Sequence, residues 1–271
     1  MGSLDDKVAL ITGAARGQGR SHAIVLAQEG ADVILIDICG PVSADVEYPP
    51  ATKAELDDVV REVTDRDRRA IGQVIDTRDF EALNRAVRSS AAELGGLDIV
   101  IANAGYVSWQ RFWEMPASVW QNMIDVTLTG TFNTLKAAAP IMIEQGRGGS
   151  IIITSSTAGL KALPGQIHYT TAKHGLVGMT KAAALELGPF GINVNSLHPF
   201  VVDTYMGQRT DGMMRLLEEN PSYVNSLGKV LTDPPNLTCD DVSRTVLYLL
   251  SPAARLMTGH QLRLDAGQTI V

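Results

Sequence analysis

Apolar residues in this chain come in short, nearly unbroken runs separated by longer stretches of mixed character. Lys7 to Thr12 (KVALIT), Ala31 to Asp37 (ADVILID), Ala70 to Ile75, Leu97 to Ala102 (LDIVIA), Gly149 to Thr154 (GSIIIT), Asn193 to Leu197 (NVNSL) and Gln261 to Leu264 predict strands. The most continuous of these runs do not alternate, as expected for strands buried on both faces of a sheet. Between them the pattern predicts helices. One runs from Gln18 to Glu29 and is closed by Gly30. Another, Lys53 to Arg66, carries Leu56, Val59, Val60 and Val63 on one face. Others cover Phe80 to Leu94, Trp120 to Glu144, Ile167 to Leu187 and Asp240 to Leu250. The first strand–helix–strand unit implies a parallel sheet with a right-handed crossover. The fold class is therefore α/β.

Two stretches interrupt the rhythm. Residues 39–52 (CGPVSADVEYPPAT) hold a glycine and three prolines, which oppose helix and strand alike. Residues 205–236 mix Met206, Met213, Met214, Leu216 and Leu217 with polar residues and end near Pro234 and Pro235. This predicts a mobile flap with a short helix. No linker separates two domains, so residues 1–271 read as one domain with an insertion near 39–52 and a flap near 205–236.

Composition narrows the function. The net charge is −7, and the most basic run, Arg66 to Arg69, is broken by Asp67. That excludes nucleic acid as the expected partner, because such binding rests on clustered Lys and Arg. No run approaches the length of a membrane span. Cys39 and Cys239 are the only cysteines, which gives neither a metal-binding spacing nor a disulfide framework. No metal is expected, and a reducing cytoplasm is the simplest compartment.

Thr12 to Gly19 reads TGAARGQG, with glycines at 13, 17 and 19 between a strand and a helix. That context is what a dinucleotide fingerprint requires. Gly13 permits the tight turn, and Gly19 and its neighbours Arg16 and Gln18 lie where a pyrophosphate would meet the helix N-terminus. Asp37 closes the second strand, 18 residues after Gly19. A carboxylate there accepts hydrogen bonds from ribose hydroxyls and repels a 2′-phosphate, which favours NAD over NADP. Arg16 points the other way, since a basic residue in this loop can meet a 2′-phosphate. Asp76 and Thr77 after strand three, and Asn103, Ala104 and Gly105 after strand four, are further cofactor-contact candidates. Either stretch also suits an ordinary strand-end turn, since Asn, Asp and Gly favour turns.

Residues 154–173 (TSSTAGLKALPGQIHYTTAK) carry the candidate chemistry. Tyr169 and Lys173 are four residues apart and share a helix face. An ammonium near a phenol favours the phenolate, which makes a base strong enough for an alcohol proton. Ser156 comes up from the preceding strand.

Taken together, TGxxxGxG at Thr12–Gly19, N-A-G at Asn103–Gly105 and a serine 13 residues before Tyr-x-x-x-Lys make the chain resemble the short-chain dehydrogenase/reductases over nearly its whole length. The resemblance implies a Rossmann-type doubly wound domain with a seven-stranded parallel sheet, often in a tetramer built on the two long helices. It implies Tyr169 as general acid/base, Ser156 as the hydrogen-bond partner of the reacting oxygen, and Lys173 as holder of the nicotinamide ribose that also lowers the tyrosine pKa. It places Pro199, Val202 and Thr204, in HPFVVDT, against the nicotinamide. Two positions depart from the family's pattern. Thr127, in DVTL, stands where the family has a fourth catalytic residue, an asparagine that helps bend the helix and serves a proton relay. Phe200 replaces a loop glycine and adds bulk.

A finer resemblance, carried by Tyr48 to Thr52, Glu55–Leu56 and Asp67 to Arg69, is to the carveol-dehydrogenase-like branch associated with the mycofactocin redox system. It implies NAD held without exchange, under an insertion folded over the adenosine, and a mycofactocin-type electron acceptor. The expected activity is an NAD-dependent alcohol dehydrogenase or ketone reductase acting on a small apolar alcohol, with terpenoids as the candidate class, for which Met206, Met213 and Met214 offer adaptable packing. NADP-dependent carbonyl reduction and a non-catalytic, redox-responsive NAD-binding protein remain the alternatives.

Overall fold

The computed structural model describes residues 2–271. Seven parallel strands form one sheet in the order β3-β2-β1-β4-β5-β6-β7. They are β1 (Val8–Thr12), β2 (Asp32–Asp37), β3 (Ala70–Val74), β4 (Ile99–Ala102), β5 (Gly149–Thr154), β6 (Ile192–Pro199) and β7 (Gln261–Leu264). The helices are α1 (Gly17–Gln28), α2 (Lys53–Thr64), α3 (Phe80–Leu94), α4 (Ala117–Met123), α5 (Gly130–Gln145), α6 (Ile167–Leu187), α7 (Asp211–Glu219) and α8 (Cys239–Leu250). The strand order reverses between β1 and β4, where ligands of doubly wound sheets bind beyond the carboxyl ends of the strands.

The unbroken apolar runs have a direct cause. In β1, Ala9 and Ile11 face a core shared with Leu26, Leu56, Val59, Val242 and Val246. Val8 and Leu10 face a second core with Leu83, Val87, Leu135, Met142 and Leu176. The central strands β1 and β4 are buried on both faces, so alternation is absent there, whereas the edge strands β3 and β7 are partly exposed. Local signals set the helix starts. Thr52 and Glu55 form a reciprocal capping box at α2, and Thr238 and Asp241 another at α8.

The long apolar helix expected over Trp120–Glu144 is interrupted. Between α4 and α5 the backbone widens into a π-helical turn over Ile124–Thr129. Immediately after it, Gly130 packs so closely that a Cβ there would stand 2.5 Å from Thr77 Oγ1. The helix is therefore distorted at the expected place although Thr127 has replaced asparagine. Strand six is also longer than expected, because it pairs with β5 from Ile192 through Leu197 and with β7 from Ser196 through Pro199. Residues 205–236 contain α7 between 3₁₀ turns at Tyr205–Gly207 and Pro221–Leu227.

Candidate active site

The carboxyl ends of β1, β4, β5 and β6 open into one continuous cleft of about 1570 Å³. Every candidate residue named from the sequence lines it except Gly19 and Thr127. A cleft of this size exceeds the usual small-molecule pocket and suits a dinucleotide together with a substrate.

At one end, Ser156 follows β5 in extended backbone, its hydroxyl accepting from the Ala158 N–H at 3.1 Å. Its carbonyl is held by His198, whose Nδ1–H donates at 2.7 Å. That bond fixes the histidine's Nδ1–H tautomer, and burial pushes its pKa down to about 4, so it stays neutral. Ser155 holds the partner helix, its hydroxyl donating to the Lys173 carbonyl at 3.1 Å. Tyr169 and Lys173 project from one face of α6 into the cleft and are 8% and 4% exposed. The Lys173 ammonium nitrogen lies 5.5 Å from the Tyr169 ring centre and donates to the Thr154 carbonyl at 2.7 Å.

The electrostatics differ from the expectation that the lysine lowers the tyrosine pKa. Burial pushes Tyr169 up to about 12, and the neighbouring Ser156 hydroxyl offsets this only in part. Burial also pulls Lys173 down to about 7, so near neutral pH a large share of it carries no charge with which to favour a phenolate. Desolvation outweighs proximity in this dry site.

Thr127 is fully buried and lies outside the cleft wall. Its hydroxyl points to the sulfur of Met123 at 3.3 Å, not to a backbone carbonyl. A Cβ built on Gly105 would stand 3.8 Å from both Thr127 Oγ1 and Lys173 Nζ, so the two groups flank that glycine. Thr127→Asn places a longer polar side chain on that side of Gly105. We expect turnover to rise several-fold, with a changed pH–rate profile. Identical turnover and profile would exclude a proton path through this position.

At the other end, Gly13 has φ 67°, and a Cβ on it would stand 3.0 Å from the Ala104 Cα. Gly19 sits behind the turn, where a Cβ would stand 2.0 Å from the Gly13 carbonyl oxygen, so it sets the close packing of α1 rather than the cleft surface. Gln18 reaches the cleft with a buried Oε1 that has no partner within the protein. Asn103 ties β4 to β1, its Nδ2 donating to the Thr12 carbonyl at 3.0 Å, while the Asn103 and Ala104 N–H groups donate to Thr12 Oγ1. The Asp37 carboxylate accepts from the N–H groups of Ala15 (3.0 Å) and Cys39 (2.9 Å), which aim it into the cleft with lone pairs to spare. Asp76 is bridged by Arg78 at 2.6 Å, and Thr77 packs beside Gly130. Pro199, Val202 and Thr204 form the wall after β6. The glycine cradle, the unpartnered Gln18 oxygen and the fixed carboxylate all fit a dinucleotide.

Arg16, the residue that favoured NADP, is committed elsewhere. Its guanidinium donates to the Pro49 carbonyl and lies 5.9 Å from the Tyr48 ring and 4.8 Å from the Tyr205 ring. Phe200 lines the cleft but also packs into the core, with Lys229 Nζ 4.5 Å from its ring centre.

The insertion reaches further than a cover over adenosine. Val42, Val46 and Tyr48 pack against Tyr106, Val107 and Tyr169 at the catalytic end, and the Tyr48 hydroxyl accepts from the Val107 N–H at 3.3 Å. Glu47 accepts from the Gly212 N–H at the start of α7, both oxygens at 3.1 Å. The prolines of 39–52 marked a loop, but no local signal reveals these distant partners.

A doubly wound sheet with a glycine-lined turn, a strand-end carboxylate and a Ser–Tyr–Lys cluster in one cleft is the layout of a dinucleotide-dependent oxidoreductase. The comparisons agree. Residues 13–269 match the family model described as enoyl-(acyl carrier protein) reductase. The chain is 46% identical, over 98% of its own length and 97% of the relative's, to an uncharacterised NAD-dependent oxidoreductase of Mycobacterium tuberculosis. It is 45% identical to a (−)-trans-carveol dehydrogenase of Rhodococcus erythropolis over the full length of both. A crystal structure of a short-chain dehydrogenase from Mycobacterium paratuberculosis bound to NAD superposes with a TM-score of 0.97, at 43% identity and full coverage of both chains. The chain belongs to the short-chain dehydrogenase/reductase family.

Proposed function

We propose that this chain is an NAD-dependent dehydrogenase interconverting small secondary alcohols and ketones. The observation that carries the reading is the convergence of Ser156, Tyr169 and Lys173 at one end of a cleft whose other end presents Asp37. The relatives described as NAD-dependent and as a carveol dehydrogenase support it. A terpenoid-like ring suits the apolar wall formed by Val107, Leu163 and Met206.

In this reading Gly13, Gln18, Asp37, Asn103 to Gly105, Val202 and Thr204 hold NAD, with Asp76 and Thr77 at the far wall. NAD, when bound, supplies the nicotinamide carbon that accepts or gives the hydride. Ser156 holds the alcohol oxygen, and Tyr169 takes its proton at Oη in the phenolate form, whose fraction grows with pH. Lys173 orients the cofactor side and passes charge to neither partner while neutral. The test is single-turnover reduction of bound cofactor by a panel of cyclic secondary alcohols, followed by nicotinamide absorbance. Absence of reduction across the panel would sink the activity. Equal use of NADP would sink the role given to Asp37.

We also propose that NAD is retained between turnovers. The insertion and the flap are strapped together across the cleft by Arg16, between Tyr48 and Tyr205, and by Glu47 at the start of α7. Electrons then leave through a second carrier, for which a mycofactocin-type acceptor is the candidate. Arg16→Ala removes a charged hydrogen bond and two cation–π contacts, about 2–3 kcal/mol in sum. Release of NAD on dialysis is expected to quicken by at least about tenfold, since each 1.4 kcal/mol is a factor of ten. Unchanged release would show that the strap does not hold the cofactor. The exposed Phe132 on α5 and Leu185 on α6 support a homotetramer built on these helices, which light scattering would check.

A further inference from the structure

Gln166 immediately precedes α6, three residues before Tyr169 and seven before Lys173, and all three line the same cleft. Its side chain is 3% exposed and lines the cleft. Its Oε1 is buried with no hydrogen-bond partner, and the side chain does not cap the helix it begins. Apolar groups lie on either side in the chain: a Cβ built on Gly165 would meet Leu216 and Trp109, and Tyr169 clusters with Val107, Leu163 and Met206.

A buried amide without a partner is costly, about 1–3 kcal/mol for one orphaned group. Native folds keep such groups where a ligand or an ordered water completes them. We propose that Gln166 is a specificity residue that hydrogen-bonds a second oxygen function on the substrate, near the reacting carbinol. The inference rests on the dehydrogenase reading above. It narrows the substrate from a purely hydrocarbon alcohol to a diol or hydroxyketone class. The amide serves either partner: its oxygen accepts from a hydroxyl, and its NH₂ donates to a carbonyl after a flip. Gln166 lies only three residues before Tyr169 and lines the same cleft, so the second oxygen is expected on the same small ring as the first.

Such a site discriminates strongly, because an analogue lacking the oxygen leaves the amide unpaired. The test compares cyclohexanol with its 1,2-, 1,3- and 1,4-diols, using the second-order rate constant for reduction of bound NAD. The parent is expected to favour at least one diol by about tenfold or more. Gln166→Met, close in length and volume, should bring the ratio near one while leaving cyclohexanol little changed. Gln166→Glu keeps the acceptor and should keep the preference for the diol, and NAD retention checks that both variants are folded. No diol preference in the parent, or one that Gln166→Met leaves intact, overturns the proposal and assigns the amide to ordered water. Calorimetric binding of the same alcohols to Tyr169→Phe repeats the comparison without hydride transfer. Preference in binding with no reaction in the parent would overturn the dehydrogenase reading and leave Gln166 as the specificity residue.

Discussion

Tyr169→Phe is expected to lose about three orders of magnitude in the rate of hydride transfer while keeping its NAD. A positioned general acid/base contributes about 10²–10⁴-fold. The other titratable groups nearby are engaged: Lys173 donates to the Thr154 carbonyl at 2.7 Å, the Tyr48 hydroxyl accepts from the Val107 N–H, and neutral His198 donates to the Ser156 carbonyl. The substitution removes one oxygen from a side chain already packed among Val107, Ala158 and Ala172. The fold should therefore tolerate it, and loss of rate would report chemistry. Single-turnover absorbance gives the rate, and mass spectrometry of the folded protein gives the NAD content. A variant within tenfold of the parent would remove Tyr169 from the mechanism. Below its raised pKa, the phenolate fraction increases tenfold per pH unit. The parent's rate should therefore climb with pH through the neutral range, and the variant's should not.

The sheet was legible because its inner strands β1, β2, β4 and β5 carry apolar runs that reflect burial on both faces, while the half-exposed edge strands β3 and β7 show weaker ones. The candidate catalytic set was legible because β5 and α6 are consecutive elements joined by residues 155–166, so Ser156, Tyr169 and Lys173 reveal themselves by spacing. What escaped depends on contacts between distant segments. The resemblance placed a bend near Thr127, but its π-helical form over Ile124–Thr129 is not written in DVTLTG, and the close approach of Gly130 to Thr77 is a matter of helix packing. Arg16 looked like a phosphate ligand until Pro49, Tyr48 and Tyr205 were found around it. The insertion was recognisable as a loop, but its reach to Tyr169 follows from tertiary packing of Val42, Val46 and Tyr48. The Tyr–Lys pair shows the same division. Proximity could be read from an i, i+4 spacing, whereas the burial that reverses the expected shift belongs to the folded site.

Lys173→Met should slow hydride transfer, by removing the group that orients the cofactor side, and at the same time flatten the pH dependence of stability. In the fold, burial draws the Lys173 pKa down to about 7. In the unfolded chain it returns to about 10.4. Between these values the unfolded state binds the proton more tightly, so stability rises with pH across that window. The contribution is fully present only above the unfolded pKa and is lost as pH falls through the folded one. From pH 7 to pH 9 the parent without cofactor should gain about 2 kcal/mol from this one group, at 1.36 kcal/mol per unit. The methionine variant lacks that gain, though it leaves the Thr154 carbonyl without the lysine's bond. Its absolute stability therefore reflects two opposing changes, and the pH slope isolates the first. Urea denaturation of both proteins at pH 7 and pH 9, freed of NAD, measures the difference in slope. Parallel slopes would mean that Lys173 stays charged in the fold. In that case the ammonium would be available to favour the Tyr169 phenolate, and the proton-transfer chemistry would start from a charged pair.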